Sequence, residues 1–135
     1  MSGLVDTTEN SILDLLWGGV SFSPPTIWYL GLMTSSPTET GGSVVEPVGS
    51  SYARVAVANN IAQWPAAIAG QKQNANAIIF PTATGSGWGT ITHYGFFDAA
   101  AGGSLRAFSP LDTPRVVSAG DGFQFLAGDC KFTAD

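Results

Sequence analysis

The residues with the greatest chemical reactivity are few and scattered in this sequence. It contains one histidine, His93, and one cysteine, Cys130. A cysteine and a histidine in hydrogen-bond contact can act as a nucleophile and its base, but the spacing of these two residues does not indicate such a pair. We therefore expect His93 to pack or to hydrogen-bond within a sheet, and we assign no catalytic residue.

The carboxylates offer a second kind of chemistry. Two carboxylates that face one another can hydrolyse a glycosidic bond, and carboxylates in a turn can bind Ca²⁺. The aspartates at the ends of predicted strands are Asp98, Asp112, Asp121 and Asp129. Aspartate is common at such positions because its side chain caps turns, and a single histidine cannot supply a two-histidine zinc site. We predict no metal and no cofactor, with a turn-bound Ca²⁺ as the alternative.

A glycine-rich stretch and four tryptophans could also contact a ligand. Residues 85–89 read Gly-Ser-Gly-Trp-Gly. A phosphate-binding loop opens a helix, whereas this stretch precedes a predicted strand, so we interpret it as a turn that lets Trp88 fold back. The tryptophans are Trp17, Trp28, Trp64 and Trp88. One of them could stack on a sugar, but tryptophans in a small β-domain more often belong to the core.

The composition favours a protein that works in an assembly. Charged residues make up 11% of the chain and apolar residues 44%, and the charged share is about half of that in an ordinary soluble domain. A chain with so few ions usually covers part of its surface in a permanent contact, so we expect an assembly subunit and a homo-oligomer.

The charge pattern and the apolar runs exclude two classes of partner. The net charge is −5, and no basic stripe is present to replace the counterions of phosphates, so we expect no direct nucleic-acid partner. The sequence has neither a signal-peptide pattern nor an apolar run long enough to cross a bilayer. We expect a soluble protein without a membrane partner.

Two arginines stand out among apolar neighbours. Arg54 and Arg106 each lie in the middle of a predicted strand. Burying an arginine is costly unless it is paired, so each is expected to face outward or to meet an acid such as Glu46, Asp98 or Asp112. Both arginines are candidate contacts between subunits, and changing either to alanine would then weaken assembly without unfolding the domain.

Residues 90–97 predict the central strand on which the other elements depend. One set of alternate positions holds Thr90, Thr92, Tyr94 and Phe96, and the other holds Ile91, His93, Gly95 and Phe97. Both sets are rich in β-branched or aromatic side chains, which is typical of a strand covered on both faces. Gly95 indicates a bulge or a close approach by another backbone or ring.

The N-terminal residues predict one short helix. Residues 6–9 (Asp-Thr-Thr-Glu) have the pattern of an N-cap, with Asp6 accepting from the early amides and Glu9 reaching back. Gly18 and Gly19 supply a left-handed stop. A helix of about three turns is marginal alone.

This helix is expected to dock through one apolar side. Spacings of three and four residues bring together Ile12, Leu13, Leu16 and Trp17. The side docks either on its own sheet or, as an arm, on another subunit. In the second case Leu13, Leu16 and Trp17 are subunit contacts.

Alternating patterns and turn residues predict the remaining strands. They cover residues 26–33, 52–57, 76–80, 104–108, 115–117, 123–127 and 130–133. Short strands at a spacing of about ten residues are typical of an all-β fold. We predict an antiparallel β-sandwich or jelly-roll-like barrel of seven to eight short strands with one short N-terminal helix.

We expect a single β-sandwich domain over residues 1–135, with residues 1–25 as an N-terminal helix or arm. Residues 34–51 form a long polar loop without a periodic pattern. Such loops tend to be functional or poorly ordered, so a contact loop and a flexible exposed loop are both open interpretations.

Several segments, taken together and in order, resemble a family of small virion proteins of tailed bacteriophages, commonly labelled tail fibre proteins. The segments are residues 13–17 (Leu-Asp-Leu-Leu-Trp), 25–32 (Pro-Thr-Ile-Trp-Tyr-Leu-Gly-Leu), 51–57 (Ser-Tyr-Ala-Arg-Val-Ala-Val), 79–84 (Ile-Phe-Pro-Thr-Ala-Thr), 88–98 (Trp-Gly-Thr-Ile-Thr-His-Tyr-Gly-Phe-Phe-Asp), 103–105 (Gly-Ser-Leu) and 119–121 (Ala-Gly-Asp). The similarity runs from about residue 4 to residue 132.

The resemblance implies a non-enzymatic structural component of the virion, assembled in the host cytoplasm and contacting other virion proteins. The sequence lacks the long repeats of trimeric fibre shafts, and its helix and long loop could grip a lattice. A capsid decoration (cement) protein with the major capsid protein as partner is therefore the first hypothesis. A tail fibre or tail-associated module, contacting tail proteins and taking part in host attachment or carbohydrate binding, is the alternative.

Overall fold

The computed structural model describes residues 3–134, and that part of the chain contains one helix and nine strands. In chain order the elements are β1 (Gly3–Leu4), α1 (Asp6–Gly18), β2 (Ile27–Met33), β3 (Val55–Ala58), β4 (Gln71–Gln73), β5 (Ile78–Ile79), β6 (Gly89–Phe97), β7 (Leu105–Val117), β8 (Gln124–Phe125) and β9 (Lys131–Thr133).

A five-stranded antiparallel sheet forms the centre of the fold. Its strand order is β1-β7-β6-β2-β3, so β6 lies in the middle as its two-sided pattern predicts. The register places Gly31 of β2 opposite Gly95 of β6, and Gly95 in turn opposite Phe108 of β7. The sheet ends at β1 and β3 without closing. The fold is therefore sandwich-like, and the predicted all-β antiparallel class with one short helix is confirmed.

The first face of the sheet is covered by the two small ribbons β4–β9 and β5–β8. Tyr94 and Phe96 of β6 point to this side and join one cluster with Trp64, Phe125 and Phe132. The ring of Phe96 lies edge-on to Trp64 at 5.6 Å and to Phe132 at 5.1 Å between centroids. Each such aromatic pair contributes about 0.5–1.5 kcal/mol beyond its buried area, so these contacts hold the ribbons on the sheet.

The second face is covered by the chain before α1 and by residues 34–51. Phe97, Leu105, Phe108 and Val5 form a second buried cluster there, with Val44 packed against it. Coverage on both faces explains why both alternating sets of β6 are rich in β-branched or aromatic side chains.

Two facing glycines leave room for close packing between β2 and β6, and Gly31 lies next to a buried ion pair. A Cβ atom added to Gly31 would lie 2.6 Å from Glu46 Oε1 and 2.8 Å from Phe97 Cε1. A Cβ atom added to Gly95 would lie 2.6 Å from Leu105 Cδ1. Real Cβ atoms do not approach other heavy atoms so closely, so a larger residue at either position would displace these side chains. A Cβ atom added to Gly95 would also lie 3.2 Å from the carbonyl oxygen of Ala107, which is an approach by another backbone. The predicted close approach at Gly95 is confirmed.

The ion pair joins Glu46 of the long loop to Arg54. Arg54 Nε donates to Glu46 Oε1 and Nη2 donates to Oε2, each at 2.8 Å. Arg54 Nη1 donates to the carbonyl oxygens of Ala99 at 2.7 Å and Gly102 at 2.8 Å, and the guanidinium carbon lies 3.6 Å from the centroid of the Phe97 ring. The pair therefore fixes part of residues 34–51 to the β6–β7 turn, and this part is not a free exposed loop.

Helix α1 begins at Asp6, but the predicted N-cap is wrong. Val5 occupies the N-cap with extended backbone, and no side chain caps the helix. The first turn is held instead by tertiary contacts, because the Asp6 N–H donates to the Glu39 carbonyl at 2.8 Å and Thr8 Oγ1 donates to the Arg106 carbonyl at 3.0 Å. The predicted stop is confirmed, since Gly19 is left-handed with φ 64°.

Four strands differ from the strand prediction. The strand predicted at residues 52–57 is β3, which begins at Val55, so Arg54 lies just before a strand and not in the middle of one. Strands β1 and β4 were not predicted, because two or three residues are too few to show a pattern and their pairing partners define them. Strand β7 joins the two predicted strands at residues 104–108 and 115–117, and its pairing with β6 shifts register between Ile91 and His93.

Candidate functional site

The C-terminal half of α1 exposes an apolar surface. Trp17 is 80% exposed, Leu16 62% and Leu13 52%, and Val20 follows directly after the helix and is also exposed. Leu13, Leu16 and Trp17 have the spacing of one helical side. We call these four residues the α1 apolar face. A contiguous apolar patch of this kind is typical of an interaction surface.

The predicted apolar side of α1 is partly buried in its first half and exposed in its second half. Thr8 is buried and Ile12 half-buried, so the first half of α1 is docked on the body of the protein. The predicted subunit contacts Leu13, Leu16 and Trp17 all lie in the exposed half. Their contact with another subunit stays a prediction, and the structure provides the exposure that such a contact requires.

An apolar groove of about 340 Å³ lies beside α1 on the first face of the sheet. Its apolar lining includes Leu4, Ile12, Phe22, Trp28, Phe96 and Phe132. Two cationic side chains, Lys72 and Arg106, also line it. We call this cavity the apolar groove. Its residues come from the helix, from the connector after the helix and from six strands, so no local sequence pattern could have predicted it.

The two candidate arginines occupy different environments. The Arg54 side chain is 6% exposed and its guanidinium is used inside the protein, whereas the Arg106 side chain is 28% exposed. Arg106 Nη2 lies 3.1 Å from Asp98 Oδ2. The prediction that each arginine meets an acid is confirmed. Arg106 lines the apolar groove, and it is the more exposed of the two arginines.

Three of the four candidate aspartates cap turns. Asp98 Oδ1 accepts from the Ser104 N–H at 2.7 Å, Asp121 Oδ2 from the Ser118 N–H at 2.8 Å, and Asp129 Oδ2 from the Leu126 N–H at 2.8 Å. The hydrogen bond from the Ser104 N–H, with help from Arg106, lowers the pKa of Asp98. Within residues 3–134, no three histidine, cysteine, aspartate or glutamate side chains come together as a metal site.

A second, polar cavity brings Asp112 and Asp129 to one place. It has a volume of about 510 Å³ and is lined by both aspartates together with Arg115, Lys131 and Tyr94. Burial raises the pKa of Tyr94 to about 12, so its hydroxyl stays protonated at neutral pH. We call this cavity the polar cleft. Its two acids and two bases offer both hydrogen-bond acceptors and donors.

His93 and Cys130 have different neighbours. His93 Nδ1 lies 2.8 Å from Thr92 Oγ1, and partial burial lowers the pKa of the imidazole. Cys130 is fully buried in the first-face cluster, and burial raises the pKa of its thiol to about 12. A buried protonated thiol is a poor nucleophile, so this residue acts as a core side chain.

The glycine-rich stretch forms a turn, and every tryptophan except Trp17 packs at least partly inside the protein. The Trp88 indole N–H donates to the Ser50 carbonyl at 2.9 Å, so the turn at residues 85–89 folds Trp88 back as predicted. Trp64 and Trp88 are buried and Trp28 is half-buried. Trp17 is the exception, and it belongs to the α1 apolar face.

Comparison with known proteins gives one family. The family described as "Podophage GP4 fiber I protein gp80" has a sequence model that matches residues 3–133. No curated protein matches the chain. Among the described residues, no helix is long and apolar enough to cross a membrane.

Proposed function

Because the chain belongs to the Podophage GP4 fiber I protein gp80 family, and is therefore a bacteriophage virion protein, we propose that it is a non-enzymatic structural subunit of a virion fibre. The single observation that carries this proposal is the α1 apolar face. A helix whose first turn is fixed to the body and whose last turn exposes leucine and tryptophan side chains supplies a docking element that is folded before it binds.

The docking free energy comes from burial of apolar side chains. Fully burying one leucine or tryptophan side chain contributes about 1.5–3 kcal/mol. The Val5 N–H donates to the Arg106 carbonyl at 3.0 Å, and together with the Thr8 contact this anchors α1 before binding. Since the helix is already ordered, little of the binding free energy is spent on ordering it.

A structural role also fits the chemistry of the ionisable residues. Arg54 and Arg106 are paired with acids, and the Cys130 thiol is buried. Three of the candidate aspartates accept backbone hydrogen bonds in turns. These groups therefore stabilise the fold, which supports a non-enzymatic subunit.

The family is named for a fibre, so we place a fibre subunit first, and the capsid decoration that we placed first from the sequence is the alternative. Both roles would use the α1 apolar face, so the surface does not separate them. The two roles differ in the location of the protein in the particle and in its number of copies. Antibodies against the protein, bound to purified particles and viewed by electron microscopy, separate them. Label on fibres and a few copies per particle by quantitative mass spectrometry support the proposal. Label spread over the head with hundreds of copies would overturn it in favour of decoration.

Carbohydrate binding is a second candidate function, and the polar cleft is the observation that favours it. Sugar hydroxyls donate to carboxylates such as Asp112 and accept from cations such as Arg115, and the cleft presents both kinds of group side by side. A glycan array with the purified protein tests this function. Binding that Asp112→Ala abolishes supports it, and an array without bound glycan rejects it.

A further inference from the structure

We propose that the occupant of the apolar groove is the α1 apolar face of a second copy of this chain. This inference rests on the proposed function and names a partner for the same surface. The groove and the face match in polarity, because the groove is lined chiefly by aromatic and aliphatic side chains such as Phe22 and Phe132. A cavity of about 340 Å³ lies in the range that accepts a large apolar group, and the indole of Trp17 is such a group.

Charge complementarity also selects this occupant. Helix α1 contains three acidic residues, Asp6, Glu9 and Asp14, and no basic residue. The groove is lined by two cations, Lys72 and Arg106, and by no acid. Asp14 lies next to Leu13 in the exposed half of the helix, so an α1 that inserts its apolar face brings this carboxylate towards the cations. Such pairs orient a partner more than they add affinity.

The position of the two surfaces allows a reciprocal contact. Ile12 lines the groove, and Leu13 and Leu16 of the next turns belong to the exposed face. Face and groove therefore adjoin along one helix. Two copies related by a two-fold axis can each insert the face into the groove of the other, which is the isologous arrangement most common in homo-oligomers.

The oligomeric state of the purified protein tests this inference. Light scattering after size exclusion, over a range of protein concentrations, is expected to give a dimer for the wild type. Trp17→Ser is expected to weaken the dimer at least about a hundredfold, because each dimer loses two buried indoles. Val48 is also fully exposed but lies on the long loop, so Val48→Ser is the matched control and keeps the wild-type dimer.

A charge exchange makes the test specific for the groove. Asp14→Lys and Lys72→Glu each place like charges together and are expected to dissociate the dimer about tenfold more readily, whereas the double variant restores it. Circular dichroism checks that each variant is folded. A wild type that is monomeric, or a dimer that Trp17→Ser leaves intact, would overturn the inference. A wild-type monomer that still enters fibres would overturn the dimer contact and leave the proposed fibre role intact. A dimer found on the head would support the dimer contact and overturn the fibre role.

Discussion

Replacing Arg54 by alanine is expected to destabilise the fold strongly. The side chain is 6% exposed and makes two hydrogen bonds to Glu46. Removing one partner of a buried ion pair costs about 3–5 kcal/mol, because the other charge stays buried without compensation. Glu46 is 20% exposed and keeps the hydrogen bond from the Tyr52 hydroxyl, so we expect the lower part of this range.

Two further losses add to that cost. The guanidinium stacks on the Phe97 ring, a contact worth about 1 kcal/mol, and the carbonyls of Ala99 and Gly102 lose their donor. We therefore expect a total loss of about 3–4 kcal/mol in the free energy of unfolding. For a domain of this size that loss corresponds to a fall in Tm of about 10–20 °C.

The assay is thermal and urea denaturation followed by circular dichroism, with Arg106→Ala as the matched control. Arg106 also pairs with an aspartate, but its side chain is 28% exposed. A pair of that kind contributes at most about 1 kcal/mol, so Arg106→Ala is expected to shift Tm by less than about 5 °C. Equal shifts for the two variants would refute the assignment of Arg54 to the interior. A loss of assembly with an unchanged Tm for Arg54→Ala would instead restore its assignment as a subunit contact.

Three further predictions concern packing, burial and pH. Gly31→Ala is expected to lower the free energy of unfolding by about 1–3 kcal/mol in urea denaturation, because its Cβ would overlap Glu46. Gly122 has open space around it, so Gly122→Ala is expected to stay within about 0.5 kcal/mol of wild type, and equal costs would contradict the close packing of Glu46 on Gly31. Burial raises the pKa of the Cys130 thiol from 9.0 to about 12. We therefore expect this thiol to react with a thiol reagent at least about a thousandfold more slowly in native than in unfolded protein. Rapid labelling of the native protein would refute the burial of Cys130. Asp98 has a lowered pKa, so its contribution to stability is present above the unfolded pKa of about 3.9 and is lost as the pH falls through the lower folded value. Asp98→Asn is therefore expected to reduce the loss of stability below about pH 4. If the stability of this variant falls with pH as steeply as that of the wild type, the hydrogen bond that lowers this pKa is contradicted.

The sequence predicted the elements whose residues carry their own pattern. The alternation through Tyr94 and Phe96 located the central strand, because both faces of that strand are buried. The glycines after Trp17 located the end of α1, since the left-handed conformation there favours glycine. The predicted mid-strand positions of Arg54 and Arg106 left two outcomes, an outward-facing side chain or a pairing with an acid, because an unpaired buried cation is too costly. Both arginines are paired.

The rest depends on contacts between distant residues. The N-cap prediction failed at Asp6 because Glu39 and Arg106 supply the tertiary partners that hold the first turn. The groove was not predicted, since Phe22 and Phe132 come from opposite ends of the chain. The exposure of Trp17 was equally hidden, because an apolar helical side has the same spacing whether it docks on its own sheet or on another molecule.

The incorporation of α1 variants into phage particles tests the central claim most directly. Particles grown on a strain that supplies Trp17→Ser or Val48→Ser protein in place of the wild type are purified, and copies per particle are counted by quantitative mass spectrometry. Loss of the α1 apolar face predicts at least about a tenfold fall in Trp17→Ser copies and wild-type copies of Val48→Ser. Equal incorporation of both variants would contradict a role of α1 in docking this protein to the virion.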